Sequence, residues 1–198
     1  MNVSKARKLL SAAAAERTRL ERHLLVAAAL RELLAKEPIV VGGTAEELYT
    51  ADEYHETDLD LVGWLSRQEE DLLPEFGFKK WGRHWFHEAS NVAVEFPESR
   101  LAGDESRVSR RKVRGGVAAV IGVDDLYLDR VRQATAYPDE KSAEFRSAIA
   151  VGVAAYDVID WRYVARQIRG TTRSDPPLGK AMSRVDSKVR RKIRKGLS

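Results

Sequence analysis

The chain has 198 residues, 43% of them apolar, with no cysteine and a formal net charge of +4. That length fits one domain, or one domain with a small appendage. Without cysteine there are no disulfides, no thiolate-ligated zinc and no thiol nucleophile, and no stretch approaches the roughly 18 uncharged apolar residues of a membrane span.

The opening residues, MNVSKARKLL, lack the apolar run and cleavage site of a secretory signal, so a cytoplasmic protein is expected. Charge is unevenly spread. Residues 171–198 carry nine Lys or Arg against two Asp, whereas residues 1–170 carry 25 basic against 28 acidic. A mildly acidic body with a basic tail points to a polyanionic partner.

Residues 4–36 are rich in Ala, Leu, Glu and Arg and free of Gly and Pro, which predicts one long helix. Pro38 stops it, because the residue before a proline is pushed out of the α region. Ile39-Val40-Val41 is a short apolar strand ending in Gly42-Gly43. Thr44 suits the N-cap of a helix over 45–50, with Glu46 and Glu47 in its first turn. Residues 59–64 form the next strand and 66–76 a helix closed by Gly77. Two β-like runs, 78–86 and 92–96, flank the turn-like Glu88-Ala89-Ser90-Asn91 and predict a hairpin. Residues 100–116 read as a charged loop or edge hairpin, and 117–121 as the last strand. Four helices follow, over 124–136, 140–156, 161–168 and 180–195, punctuated by Pro138, Gly170 and Pro176-Pro177. The expected organisation is an N-terminal helix (1–37), an α/β core of α+β type (38–122), a helical part (123–170) and a basic tail (171–198).

The chemistry concentrates in VGGTAEELYTADEYHETDLDLVGW, residues 41–64. Glycines ending a strand let backbone approach a ligand closely. A helix starting there turns free N–H groups and a positive dipole end toward the same spot, which favours phosphate. Asp58 and Asp60, two apart in a strand, point to one face. Paired carboxylates are costly without a cation between them, and hard oxygen donors suit Mg²⁺. Glu95 is an acid in the otherwise apolar strand Val92-Ala93-Val94-Glu95-Phe96, and a shared metal site explains it economically. Three carboxylates can hold two magnesium ions.

The series of apolar strand, Gly43-Thr44, thirteen residues, Asp58-Leu59-Asp60 and a later strand acid is similar to the DNA polymerase β-type nucleotidyltransferase superfamily. Its flavour resembles the minimal branch related to AbiEii-type toxin nucleotidyltransferases, in Gly42-Gly43-Thr44-Ala45, in Thr57-Asp58-Leu59-Asp60 and in the helix start Val123-Asp124-Asp125-Leu126-Tyr127-Leu128-Asp129-Arg130. The resemblance covers residues 35–170. It implies a nucleotidyltransferase-fold mixed sheet flanked by helices. It makes Asp58 and Asp60 magnesium ligands and Glu95 the third acid, which assists deprotonation of an acceptor hydroxyl. Gly42, Gly43 and Thr44 would receive the NTP triphosphate, and Arg130 would contact phosphate. Glu95 stands where Asp is frequent.

Of the histidines, His84 and His87 read as structural or surface residues and His55 as a loop residue near Asp58. Alternation along the first hairpin strand places Arg83, Trp85 and His87 on one face and His84 and Phe86 on the other; Arg83 or Trp85 could touch nucleotide. No Gly-x-Ser-x-Gly elbow supports serine hydrolase chemistry. Arg107, Arg110, Arg111, Lys112 and Arg114, with Lys188, Arg190, Arg191, Lys192, Arg194 and Lys195 in the tail, could engage RNA phosphates or be solvated surface. The expected activity is Mg²⁺-dependent transfer of a nucleoside monophosphate from an NTP. The acceptor is tRNA or other RNA, as in a toxin with a cognate antitoxin, or else a protein or small molecule such as an antibiotic. A catalytically silent, nucleic-acid-binding or regulatory relative is the rival from another class.

Overall fold

Ala- and Leu-rich composition makes residues 3–33 helical, but in two pieces, α1 (Val3–Ala15) and α2 (Arg19–Leu33). The structure is a computed structural model describing residues 1–51, 58–137 and 139–196; His55, Thr57 and Pro138 lie outside the described residues. One continuous helix of 33 residues would run about 50 Å and leave part of its apolar stripe in water. Instead the chain breaks at Glu16, whose carboxylate accepts hydrogen bonds from the N–H groups of Arg17 and Thr18. The two helices pack as an antiparallel hairpin, tied where Asn2 N–H donates to Glu32 O and where Lys5 pairs with Glu32. Leu9, Leu10 and Ala13 of α1 are thereby buried, as is nearly the whole run from Leu24 to Leu30 of α2.

A seven-stranded mixed sheet supplies the scaffold, in the order β3-β4-β5-β2-β1-β7-β6. Its strands are β1 (Ile39–Val40), β2 (Asp58–Val62), β3 (Phe78–Trp81), β4 (His84–His87), β5 (Val92–Glu98), β6 (Ser109–Val113) and β7 (Gly116–Val120). The β-like run 78–86 is two strands rather than one, folded at a turn through Gly82-Arg83. The strand expected over 59–64 ends at Val62, and Trp64 is exposed. β2 runs antiparallel to β1 but parallel to β5, which the chain reaches through α4 (Arg67–Leu72), β3 and β4. A capping box at Ser66 and Glu69 starts α4. Alternation then divides β2 and β5 cleanly. Leu59, Leu61, Val92 and Val94 are fully buried, whereas Asp58, Asp60, Ala93 and Glu95 share the other, half-exposed face.

The charged segment 100–116 contributes the edge strand β6. Arg110 and Lys112 face outward and Arg111 is half-buried on the opposite side. Lys and Arg along an edge discourage pairing with another chain, and Arg110 also pairs with Glu37 at 2.8 Å.

The sheet and helical hairpin form one unit, residues 1–48 with the described part of 52–121; residues 49–51 and 122–198 form a second. α3 (Gly42–Thr50) begins in the first unit. The second holds α5 (Val123–Gln133), α6 (Ala143–Ala154), α7 (Trp161–Ser174) and α8 (Pro176–Gly196). The basic tail is largely α8, seated through buried Met182, Val185, Val189 and Ile193. Among the described residues no helix is long and apolar enough to cross a membrane.

α7 and α8 approach closely at Gly179, where an added Cβ would lie 2.3 Å from the Cα of Thr172. Backbone cannot yield as a flexible side chain does. Gly179→Ala is expected to destabilise the helical unit by about 3 kcal/mol, read from urea unfolding followed by helical circular dichroism.

Candidate active site

Three strands bring the acids and a histidine together. Parallel pairing sets Asp60 opposite Glu95 and Asp58 opposite Ala93, and antiparallel pairing sets His84 of β4 opposite Glu95. Paired residues project to the same face. His84, Glu95 and Asp60 therefore form one row across β4, β5 and β2, with Asp58 two residues away on the same side. His84 Nε2 lies 3.2 Å from Glu95 Oε2 and 3.4 Å from Asp58 Oδ2. Arg83, in the β3–β4 turn rather than in regular strand, brings its Nε within 3.1 Å of Glu95 Oε1. The alternation expected from the sequence separated Arg83 from His84. The turn frees Arg83 from that rule, and both converge on Glu95.

Asp60 is directed elsewhere. A Cβ on Gly42 would sit 2.3 Å from Asp60 Oδ2, so this carboxylate lies directly against the first residue of α3. Gly42 also has φ +62°, the left-handed region that favours glycine. N–H groups of a helix's first turn have no partner inside the helix, and the positive dipole end favours an anion there. Gly42 is half-exposed, but Gly43 and Thr44 are buried.

Thr44 is not an N-cap, because the helix already starts at Gly42. Its hydroxyl is 2.8 Å from Nδ1 of His23, a buried residue of α2. Glu46 and Glu47 lie past the first turn, and Glu47 pairs with Arg19 of α2 at 3.0 Å. The helical hairpin thus holds the α3 entrance from behind, with the Thr44 hydroxyl committed to that anchor. His87, by contrast, is structural. It is buried against the Phe78 ring, with Nδ1 2.7 Å from the Ser90 hydroxyl.

Arg130 belongs to the helical unit and is buried there, its guanidinium bonding to Gln133 at 3.0 Å and pairing with Asp129 at 3.3 Å. Of the tail residues, Lys188 and Lys192 pair with Glu140, and Arg190 bonds Asp186 and lies over the Trp161 ring. Arg191 is exposed.

Among the described residues, Asp58, His84 and Glu95 each offer one ligand atom, all within 4.8 Å of one another, and Asp60 is not in that group. Carboxylate oxygens this close repel unless a positive charge sits among them, so the donor set fits a divalent cation. His84 is the functional candidate that sequence reasoning passed over.

No family model matches the chain, and no curated protein does. Among solved structures, the chain is similar to an antigenic nucleotidyltransferase-like protein from Paracoccidioides brasiliensis, 12% identical, with a TM-score of 0.49 over 92% of this chain and 94% of that one.

Two outcomes test this architecture. Gly42→Ala combines a left-handed backbone with a collision against Asp60, and is expected to cost at least about 2 kcal/mol in urea denaturation. His23 has its pKa pushed down from 6.5 to about 4, by burial first and then by Arg19 and Arg22. Between those values the unfolded chain binds a proton that the folded chain refuses, so stability is complete above pH 6.5 and falls as pH drops toward 4. About 2 kcal/mol should be lost between pH 7 and pH 4.5, and His23→Gln should flatten that slope in unfolding midpoints.

Proposed function

We propose that the chain is a nucleotidyltransferase, moving a nucleoside monophosphate from an NTP to an acceptor hydroxyl. The observation that carries this reading is the register of β2 against β5. It sets Glu95 beside Asp60, two residues from Asp58, on the face where α3 begins. Carboxylates grouped beside a glycine-led helix entrance are what a cation-neutralised triphosphate needs.

Asp58 and Glu95 would hold Mg²⁺, with Asp60 beside them at the α3 entrance; when bound, the ion neutralises phosphate charge and favours ionisation of an attacking oxygen. The residues have separable tasks. The α3 entrance at Gly42 offers backbone N–H groups to phosphate oxygens. Glu95, steadied by Arg83 on Oε1, receives the acceptor hydroxyl proton. The acceptor oxygen then bonds to the α-phosphorus as the bond from that phosphorus to the β-phosphate bridging oxygen breaks, and pyrophosphate leaves. Positioning and charge neutralisation dominate such transfers.

RNA is the acceptor class this reading favours. Arg166, Arg169 and Arg173 of α7 and Arg184, Arg191 and Arg194 of α8 are exposed. Such side chains bind a phosphate backbone by releasing its counterions, without reading sequence.

The protein is to be incubated with Mg²⁺, each α-labelled NTP in turn, and total RNA or an aminoglycoside. Label should pass to RNA and fall by roughly 100-fold or more in Asp58→Asn and in Glu95→Gln. Transfer that survives both substitutions, or RNA binding with no transfer from any NTP, would defeat the proposal; transfer to the aminoglycoside alone would defeat the RNA assignment.

A further inference from the structure

His84 is the one member of the site that a purely carboxylate magnesium centre does not require. Its Nε2 is buried and has no hydrogen-bond partner among the described residues, although Glu95 Oε2 and Asp58 Oδ2 lie 3.2 and 3.4 Å away. Neither oxygen lies along the direction in which the ring nitrogen would donate. A histidine placed merely to pair with an acid would aim its N–H at one of them, because a charge-assisted hydrogen bond is strongest when linear.

Spacing of this kind is ordinary around a metal ion. Donors about 2.1 Å from a cation and at right angles to each other lie roughly 3 Å apart, each to the side of its neighbour's axis. The axis of the imidazole nitrogen then runs to the cation, and the oxygens flank it. Glu95 is arranged compatibly, since Arg83 occupies Oε1 and Oε2 remains on the His84 side. Asp58 and Glu95 come from parallel strands and His84 from the antiparallel neighbour, so pairing within one sheet fixes all three.

From this geometry we infer that His84 is a metal ligand, and that Asp58, His84 and Glu95 form a mixed imidazole–carboxylate site selecting a first-row transition cation, Mn²⁺ in the test below, over Mg²⁺. The inference rests on the reading that this face holds a divalent cation. The chemistry of the donors sets the preference. Mg²⁺ favours oxygen ligands and keeps much of its water, whereas imidazole nitrogen suits the later divalent ions and Mn²⁺ accepts both donor types. Asp60, turned to the α3 entrance, is left outside this set.

Full-length protein loaded with one equivalent of Mn²⁺, without nucleotide, provides the test. Pulsed electron paramagnetic resonance should show coupling to a directly bonded ¹⁴N, and titration calorimetry should show Mn²⁺ binding about tenfold more tightly than Mg²⁺. His84→Ala should remove the ¹⁴N coupling and weaken Mn²⁺ about tenfold while changing Mg²⁺ affinity less than about twofold. Absence of nitrogen coupling in the wild-type protein overturns the inference with no variant needed. So does coupling that persists in His84→Ala, or equal weakening of the two cations. No turnover enters these readouts. Nitrogen coupling in a protein that transfers no nucleotide would uphold the ligand and defeat the transferase reading. Nucleotide transfer with no coupling would do the reverse.

Discussion

Parallel pairing of β2 with β5 is the constraint on which the rest of this structure turns. It sets two carboxylates, Asp60 and Glu95, side by side on neighbouring strands, with a third, Asp58, two residues away. Like charges at such spacing oppose folding unless something offsets them. The protein offsets each differently. Asp60 lies against the first residue of α3, at the positive end of that helix, and Glu95 meets Arg83 and His84. A pairing that would be a liability in an ordinary sheet becomes a concentrated negative face beside the start of α3.

Support for that face comes from the opposite side of the sheet. The α1–α2 hairpin buries its apolar stripes, and His23 reaches from α2 to the Thr44 hydroxyl in the first turn of α3. Burial keeps that imidazole neutral down to about pH 4. That anchor takes up the Thr44 hydroxyl, in the first turn of α3. The hairpin is thus part of the architecture of the site rather than an appendage to it.

In the helical unit, several basic residues have structural partners. Arg190 binds Asp186, which also accepts a hydrogen bond from the buried Tyr127 hydroxyl, and it stacks on Trp161, which meets Tyr127 edge-on. Burial, followed by the Asp186 charge, pushes the Tyr127 hydroxyl above its ordinary range. Lys188 and Lys192 converge on Glu140. The exposed remainder lies on the outward sides of α7 and α8, which seat their apolar stripes inward.

The local code was enough to fix much of this protein. Alternation put Asp58 and Asp60 on one face, apolar runs marked most strands, and the turn at 88–91 fixed the hairpin that follows. Even the proximity of His84 to Glu95 was latent there. A four-residue turn pairs His87 with Val92, and counting back three on each side gives His84 and Glu95. Other features needed the folded chain. The break at Glu16 carries neither Gly nor Pro, and is imposed by packing both apolar stripes. The level of Glu95 against Asp60 depends on the chain's return from β2 through α4, β3 and β4, whose path in space no periodicity encodes. The residues therefore determined which side chains could act and which face each strand would offer. Only tertiary structure decided which of them meet, because register between strands distant in sequence is set by packing the whole sheet at once.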